Sequence, residues 1–492
     1  MSIETRHAPR HITEPGAPPP AWEPEAGASV DEAMAWLMRP PTTSARPPLA
    51  RQVVARHLVV GLCTLPLLVL AAIRLSALLN DSMLVLYGFG VLMSTITVMY
   101  LSFAFYRDRA PGADVAQASP PRVSMMVAVK DDVDTIESCV LSMLDSRYPD
   151  LQVIVVDDGS TDGTIEVLRA LRETREFELL VLPKNVGKKR ALVEAAARAD
   201  GDVLVFTDSD CIVAPDAVAQ CVKALTSRPD IGAVSGHARA LNGSLSLLTT
   251  IQDTWYDGQF AVAKAAESVF GSVTCVSGPL AAFRREAIYN YFPAWANDRF
   301  LGQEFRFATD RQLTGYVLGQ QRVGRRLKAA NADSPFVSEV DYPERFWRVE
   351  YVASARVLTN VPVTFRSFFK QQIRWKKSFI RSTFFSARFV WRRGVMPALL
   401  WYSHILWVAV APILAFRHLL WAPVHGWWAL TGLYLFGVLL KGAVWAVAYK
   451  AHHPHSHRWV FRPLMSVISA VCLSWLLPYA ALTLRKSVWS RG

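Results

Sequence analysis

Apolar residues crowd the two ends of this chain and thin out in its middle, and that distribution limits the possible fold more than any other feature. A helix needs roughly 20 apolar residues to cross a bilayer. Five stretches come near that length: about 57–79 and 82–105 before the middle, and about 395–416, 427–448 and 461–484 after it. Arg51, Arg56, Arg107 and Arg109 flank the first pair, whereas the turn at Asn80-Asp81 has only Arg74 nearby. Cations mark the cytoplasmic side of membrane segments, so the N-terminal tail and the middle region are expected in the cytoplasm. Arg392, Arg393, Lys450, Arg458 and Arg462 share that side in the C-terminal part. Three full spans there would put Arg485, Lys486 and Arg491 outside, against the charge rule. Pro478 offers a break that would return the chain to the inside.

The expected division is a disordered cytosolic tail over 1–50, two membrane helices over 51–110, a soluble domain over 120–362, an amphipathic interfacial region over 363–392 and further membrane helices over 393–492. The tail is rich in Pro, Ala and charge. Within it, Ser29-Val30-Asp31-Glu32 could open a short helix through Trp36 and Leu37, either docked on the membrane or soluble domain or only transient. The first apolar segment starts too late for a cleaved leader. A net charge of +12 suits a protein lying on anionic lipid and handling an anionic substrate. The basic residues gather around the apolar segments and form no soluble basic stripe, which argues against nucleic acid as partner. The six cysteines have no metal-ligand spacing, so neither a zinc site nor a disulfide framework is expected.

The middle alternates strand and helix patterns. Val123–Val129, Gln152–Val156, Leu179–Leu182 and Val203–Phe206 are short apolar runs of the kind found in buried parallel strands. Helical patterns between them cover about 135–146, 164–173 and 189–198. The fold class is therefore α/β, a doubly wound sheet inserted between transmembrane and interfacial helices. Such sheets bind ligands at the carboxyl ends of their strands, where Asp131, Asp157, Asp158, Asp208 and Asp210 fall.

Asp208 and Asp210, one residue apart at a strand end, suit a hard cation, Mg²⁺ or Mn²⁺, shared with diphosphate oxygens. Asp157 and Asp158 are expected near a nucleotide base and ribose; a turn-forming or helix-capping role in Asp157-Asp158-Gly159-Ser160-Thr161-Asp162-Gly163 is the other reading. Asn185-Val186-Gly187-Lys188-Lys189-Arg190 reads as a short loop before a helix, with a glycine that permits close backbone approach and cations suited to phosphate or a uracil carbonyl, or as a solvated basic helix start. It lacks the glycine spacing of a P-loop.

These residues resemble the family 2 glycosyltransferases. Val156–Thr164 and Asp208-Ser209-Asp210 match that family's nucleotide-sugar domain. Cys275–Arg284, Trp295, Arg299–Gln303, Thr309–Thr314 and Gln371–Ser378, which contains Gln371-Gln372-Ile373-Arg374-Trp375, look like segments of the hyaluronan and chitin synthases. The likeness covers roughly residues 120–385 and is strongest to hyaluronan synthases. It implies a GT-A-like domain with Asp310 as catalytic base, Asp208 and Asp210 on the metal, and Asp131, Asp157, Asp158, Lys188, Ser209, Gln371, Arg374 and Trp375 about the UDP-sugar. Cys275, Gly278, Pro279, Trp295 and Arg311 would hold the acceptor. Implied partners are UDP-GlcNAc and UDP-GlcA or another UDP-sugar, a nascent polysaccharide and the lipid bilayer of a plasma or inner membrane. The implied reaction is a processive, inverting transfer with extrusion of the polymer. A chitin- or glucan-type synthase with one donor, a non-processive transferase acting on lipid, and a silent scaffold are the alternatives.

The chain departs from the family where a Gly-Asp pair usually precedes the base: here it has Ala308-Thr309. Residues near 319–345 look inserted, as a partner loop or, by preference, a solvated one. The segment 364–388 mixes aromatics with cations as an interfacial helix does. Lys441, inside an apolar stretch, is expected either in a channel or in a snorkelling or internal ion-pair role.

Overall fold

In a computed structural model, residues 29–40, 57–59, 82–110 and 120–485 are described. The expected first membrane helix and most of the expected disordered tail lie outside these residues. The middle of the chain builds one eight-stranded mixed sheet with strand order β3-β2-β1-β4-β7-β6-β10-β5. Its strands are β1 (Val123–Val129), β2 (Leu151–Asp157), β3 (Glu178–Val181), β4 (Val203–Thr207), β5 (Cys211–Val213), β6 (Ile231–Ala240), β7 (Ala281–Arg284) and β10 (Arg348–Thr359). A separate two-stranded hairpin pairs β8 (Arg299–Phe300) with β9 (Gln303–Glu304).

The first four strands run parallel, β1 between β2 and β4. Every residue of β1 and β4 is buried, as expected of strands covered on both faces. Antiparallel β7 then joins β4 to β6. This reversal makes the sheet mixed, with only its first half following the regular parallel pattern the sequence suggests.

Helix α1 (Ser29–Leu37) lies on the soluble domain: Leu37 is buried in its core, and the Arg356 guanidinium on β10 donates to the Trp36 carbonyl (3.0 Å) and the Arg39 carbonyl (2.6 Å). Helix α2 (Ser82–Phe105) includes an apolar span from Tyr87. In the nucleotide-sugar half, α3 (Ile136–Leu144), α4 (Thr164–Thr174) and α5 (Lys188–Arg198) match the expected helical segments. Next come α6 (Ala217–Thr226), α7 (Leu247–Asp257), which runs into a π-helical turn over Gly258–Lys264, and α8 (Thr309–Ala329).

Helix α8 corrects the reading of 319–345 as an inserted loop. Residues 319–329 continue the helix that starts beside Asp310. Gly319 admits the Phe389 ring, buried Gln320 accepts from Trp347 Nε1 (2.7 Å), and Lys328 pairs with Glu344 (2.9 Å). What looks inserted is the packed second half of a long amphipathic helix and its return to β10. Cationic residues there mark its solvent face.

Helix α9 (Phe365–Ser386) carries the Gln-x-x-Arg-Trp segment, with Thr364 capping its first turn at the Ser367 amide (3.2 Å). Beyond it, α10 (Val395–Phe416), continued by further turns to Val424, and α11 (Trp428–His452) are long and apolar enough to cross a membrane. The last apolar segment is two pieces, Arg458–Leu473 and Leu476–Leu482, bent by 41°. Pro478 lies four residues past Ser474, where its ring would meet the carbonyl of a continuous helix. Among the described residues, three helices and this bent pair could span a bilayer.

Candidate active site

The carboxyl ends of β1, β2 and β4 meet at a cluster of acids. A ligand atom from each of Asp208, Asp210 and Cys211 lies within 4.8 Å of the others. Burial pushes the Cys211 thiol well above its ordinary range, so it stays protonated and leaves the two carboxylates as the hard donors. These residues therefore fit Mg²⁺ or Mn²⁺ by donor type. Lys188, first in α5, forms an ion pair with Asp208. Asp210 accepts from Thr359 Oγ1 at 3.4 Å.

The other strand-end residues shape the backbone around that pair. Asp158 accepts from the amides of Val186 (2.6 Å) and Gly187 (2.9 Å), holding the loop that presents Lys188. Burial raises its pKa, and those two amides oppose the rise. Asp157 accepts from the Ser160 amide (3.1 Å), while its other oxygen is buried without a hydrogen-bond partner among the described residues. Asp131 has a left-handed backbone (φ 51°) and accepts from the Thr161 amide (2.8 Å). The turn-forming role set beside nucleotide contact is thus visible in Asp157 and Asp158, and Asp131 makes a turn contact of the same kind. Ser209 is buried, and its hydroxyl donates to the Asp132 carboxylate.

Asp310 sits in the first turn of α8. Its carboxylate accepts from Cys275 Sγ (3.2 Å) and the Arg311 amide (2.9 Å). Burial, with Asp310 next in order, pushes the Cys275 thiol up to about 12, so it remains a donor. Three residues on, Gly278 lies so close to Asp208 that an added Cβ would be 2.8 Å from Oδ2. The Pro279 carbonyl accepts from Thr207 Oγ1 at 2.8 Å. One short segment, Cys275–Pro279, therefore touches both the base candidate and the metal pair. Burial works to lower the Arg311 pKa, but its neighbours Cys275, Asp310 and Glu267 more than offset this and leave it raised.

Trp295 is 2% exposed, its ring packed in the core. Its indole N–H donates to the Thr309 carbonyl (2.9 Å), bracing the residue before Asp310 from beneath. Trp375 is half-buried, its ring 5.7 Å from Trp255 and 6.2 Å from Tyr256. The Gln371 side-chain oxygen is buried and unpartnered among the described residues, and Arg374 lies one residue before Trp375 on α9. Trp255 and Gln372 also line a cavity of about 220 Å³ that extends among the long apolar helices past Lys376, Tyr434 and Lys441.

Several contributors escape sequence reading. Trp255 and Tyr256 lie on α7, far from any recognisable motif. Lys264 is buried, donates to Ser277 Oγ (2.5 Å) and Ser235 Oγ (2.9 Å), and is lowered by burial to about 8. Lys189, also brought to about 8 by burial with Asp298 opposing, donates to Gln312 Oε1 (2.8 Å) and the Phe305 carbonyl (2.9 Å). The one available signal was that Lys188 and Lys189 start a helix together, because neighbouring helix positions point in different directions.

Comparison with known proteins fits this geometry. Residues 124–292 match the family model described as glycosyl transferase family 2. The chain carries a family 2 glycosyltransferase domain. That domain covers the sheet from β1 through β7, with a GT-A-like arrangement of strands and helices. An N-acetylglucosaminyltransferase of Rhizobium meliloti (strain 1021) is 29% identical over 390 residues, 77% of this chain and 84% of that protein. A hyaluronan synthase of Streptococcus pyogenes is 27% identical over 441 residues, 86% of this chain and 96% of that protein. Among solved structures, a mannosyltransferase from Pyrobaculum calidifontis in complex with GDP-Man and Mn²⁺ aligns with a TM-score of 0.45 and 19% identity, over 82% of this chain and all of that one.

Proposed function

We propose that this protein is a membrane-embedded, processive, inverting β-glycosyltransferase of hyaluronan-synthase type, taking UDP-GlcNAc and UDP-GlcA and extruding the polymer. The observation that carries this reading is the Cys275–Pro279 segment, which contacts Asp310 at one end and Asp208 at the other. Asp208 and Asp210 would hold Mg²⁺ or Mn²⁺, which offsets charge on the departing diphosphate. Lys188 and Arg374 would bind diphosphate oxygens, and Asp131, Asp157 and Asp158 would form the floor for the nucleoside. The orphaned oxygen of Asp157 suits a donor group on the uridine.

Asp310 would take the proton from the acceptor hydroxyl as that oxygen attacks the anomeric carbon. The Cys275 thiol and Arg311 amide orient its carboxylate. Single displacement at an α-linked donor gives a β-linked product and UDP. Trp375, with Trp255 and Tyr256, would give the acceptor sugar a flat apolar face. A polar chain cannot cross hydrocarbon bare, and the cavity past Gln372, Lys376 and Lys441 is the proposed start of its exit. The sheet domain would face the cytoplasm.

The N-acetylglucosaminyltransferase relative favours a second reading, a chitin-like polymer built from UDP-GlcNAc alone. Purified full-length enzyme supplied with single and paired UDP-sugars separates the two. We expect long polymer only from UDP-GlcNAc and UDP-GlcA together, with loss of synthesis on chelation and recovery with Mn²⁺ or Mg²⁺. Polymer from UDP-GlcNAc alone would establish the second reading. Asp310→Asn should lower transfer by about 10²–10⁴-fold while UDP binding persists; a smaller loss would remove Asp310 from the base role.

A further inference from the structure

Adjacent lysines at the start of α5 reach in opposite directions. Lys188 reaches Asp208, while Lys189 turns inward to a buried acid, Asp298, at 3.3 Å. The other Asp298 oxygen accepts from the Arg381 guanidinium at 2.5 Å. These three side chains are 5%, 3% and 9% exposed for Lys189, Asp298 and Arg381. Lys189 also donates to Gln312 on α8, two residues past Asp310. Arg381 lies six residues beyond Trp375 on α9, about 9 Å along one rigid helix. It is held between the rings of Phe300 and Phe385.

Asp298 thus joins three elements, each bearing a different part of the proposed site: α5 with Lys188, α8 with Asp310, and α9 with Gln371, Arg374 and Trp375. It accepts from two buried cations, one at each carboxylate oxygen. Without its charge, Lys189 and Arg381 would face each other as like charges where water cannot screen them. Lys189 would either give up its proton or push away from Arg381; both undo the tie between α5 and α9, which lets Lys188 and Trp375 shift relative to Asp310.

We infer that Asp298 is a positioning residue that ties diphosphate engagement at Lys188 to the seating of α9 over the acceptor. It touches no substrate, and it acts through Lys189 and Arg381. The inference rests on the proposed function, since it takes Lys188 for the donor, Asp310 for the base and α9 for the acceptor cover. When UDP and the metal draw Lys188, the first turn of α5 moves as a unit, and Asp298 passes that movement to Arg381.

The test uses the full-length protein in lipid nanodiscs, comparing wild type with Asp298→Asn. Misplacement of about an ångström remote from the chemistry costs up to about 100-fold, so we expect kcat to fall roughly 10- to 100-fold with donor KM changed less than about threefold. Amide hydrogen exchange over 365–386 is then followed with and without UDP and Mn²⁺. Wild type should gain protection on adding UDP and Mn²⁺, and the variant should bind UDP without that gain. Unchanged kcat, donor affinity lost in step with kcat, or protection retained in the variant would each overturn the inference. If Asp298→Asn does not fold, Arg381→Lys is read by the same three measures, and the same split at smaller size is required. A wild type that neither binds UDP nor transfers sugar would overturn the functional reading itself. A wild type that does both, beside a variant lacking the split, would overturn only the role of Asp298.

Discussion

Gly278 carries its function through absence of a side chain. Its α-carbon lies against the Asp208 carboxylate, and any Cβ there would come within 2.8 Å of Oδ2 and 3.0 Å of Oδ1. The carboxylate must move, because the segment bearing Gly278 is fixed at Cys275 and at the Pro279 carbonyl. Gly278→Ala should therefore weaken UDP binding in the presence of Mn²⁺ by roughly tenfold, the scale of a lost charge-assisted contact, with the Asp310 end of the site intact. Isothermal titration of UDP with Mn²⁺ reads this directly, and unchanged affinity would separate Asp208 from the metal. The acidic pair was legible because short acids at the end of an apolar strand have few other reasons to be there. The contact with Gly278 was not, because 70 residues of chain lie between them and only the antiparallel insertion of β7 beside β4 brings them together.

Helix α8 shows where local preference and the final fold disagree. Its N-terminal residue is preceded by Ala308 at φ 62°, ψ 39°, a left-handed conformation that costs an L-residue roughly 1–2 kcal/mol. Glycine would adopt it freely but would lose about 0.5–1 kcal/mol more chain entropy on folding. The difference favours glycine, so Ala308→Gly should raise stability by on the order of 0.5–1 kcal/mol. A thermal melt of the detergent-solubilised protein tests the sign; a lower melting temperature would show that packing of the Ala308 methyl against Phe305 and Phe307 outweighs the strain. The departure from Gly-Asp at this point was visible in the sequence, but its backbone cost was not. Periodicity placed the strands, because apolar runs of five to seven residues between turn signals leave little else for them to be. It misjudged the second half of α8, where Arg322, Arg325 and Arg326 on the solvent face obscure buried Gly319, Gln320 and Gly324. It also could not find Asp298, whose partners are 109 and 83 residues away in the sequence.

Across the whole molecule, the sheet, α1 and the π-helical turn after α7 meet around His237 on β6. Its ring bonds Tyr351, lies 5.3 Å from Trp36 and stacks on Phe260 at 5.6 Å. Burial lowers its pKa to about 3; Asp257 opposes that, while Arg239, His453 and Arg356 reinforce it. An unfolded chain takes up this proton near pH 6.5, and the folded protein refuses it until about pH 3. The unfolded state therefore binds more protons in that window, and stability falls as pH drops through it. Each pH unit is worth about 1.4 kcal/mol per such group. Melts between pH 6.5 and 5 should show this loss, and His237→Gln should flatten the slope by about one proton; an unaltered slope would place the acid sensitivity elsewhere.

The docking of α1 has a consequence for how the chain is made. Its Trp36 carbonyl waits for Arg356, 320 residues later, and Glu32 waits for Arg458, 426 residues later. Both partners leave the ribosome long after α1 does, and closing so large a loop is an entropic cost borne only once the sheet can reward it. Helix α1 is thus made long before it can settle, and its docking marks the completion of β10 and of the segment bearing Arg458.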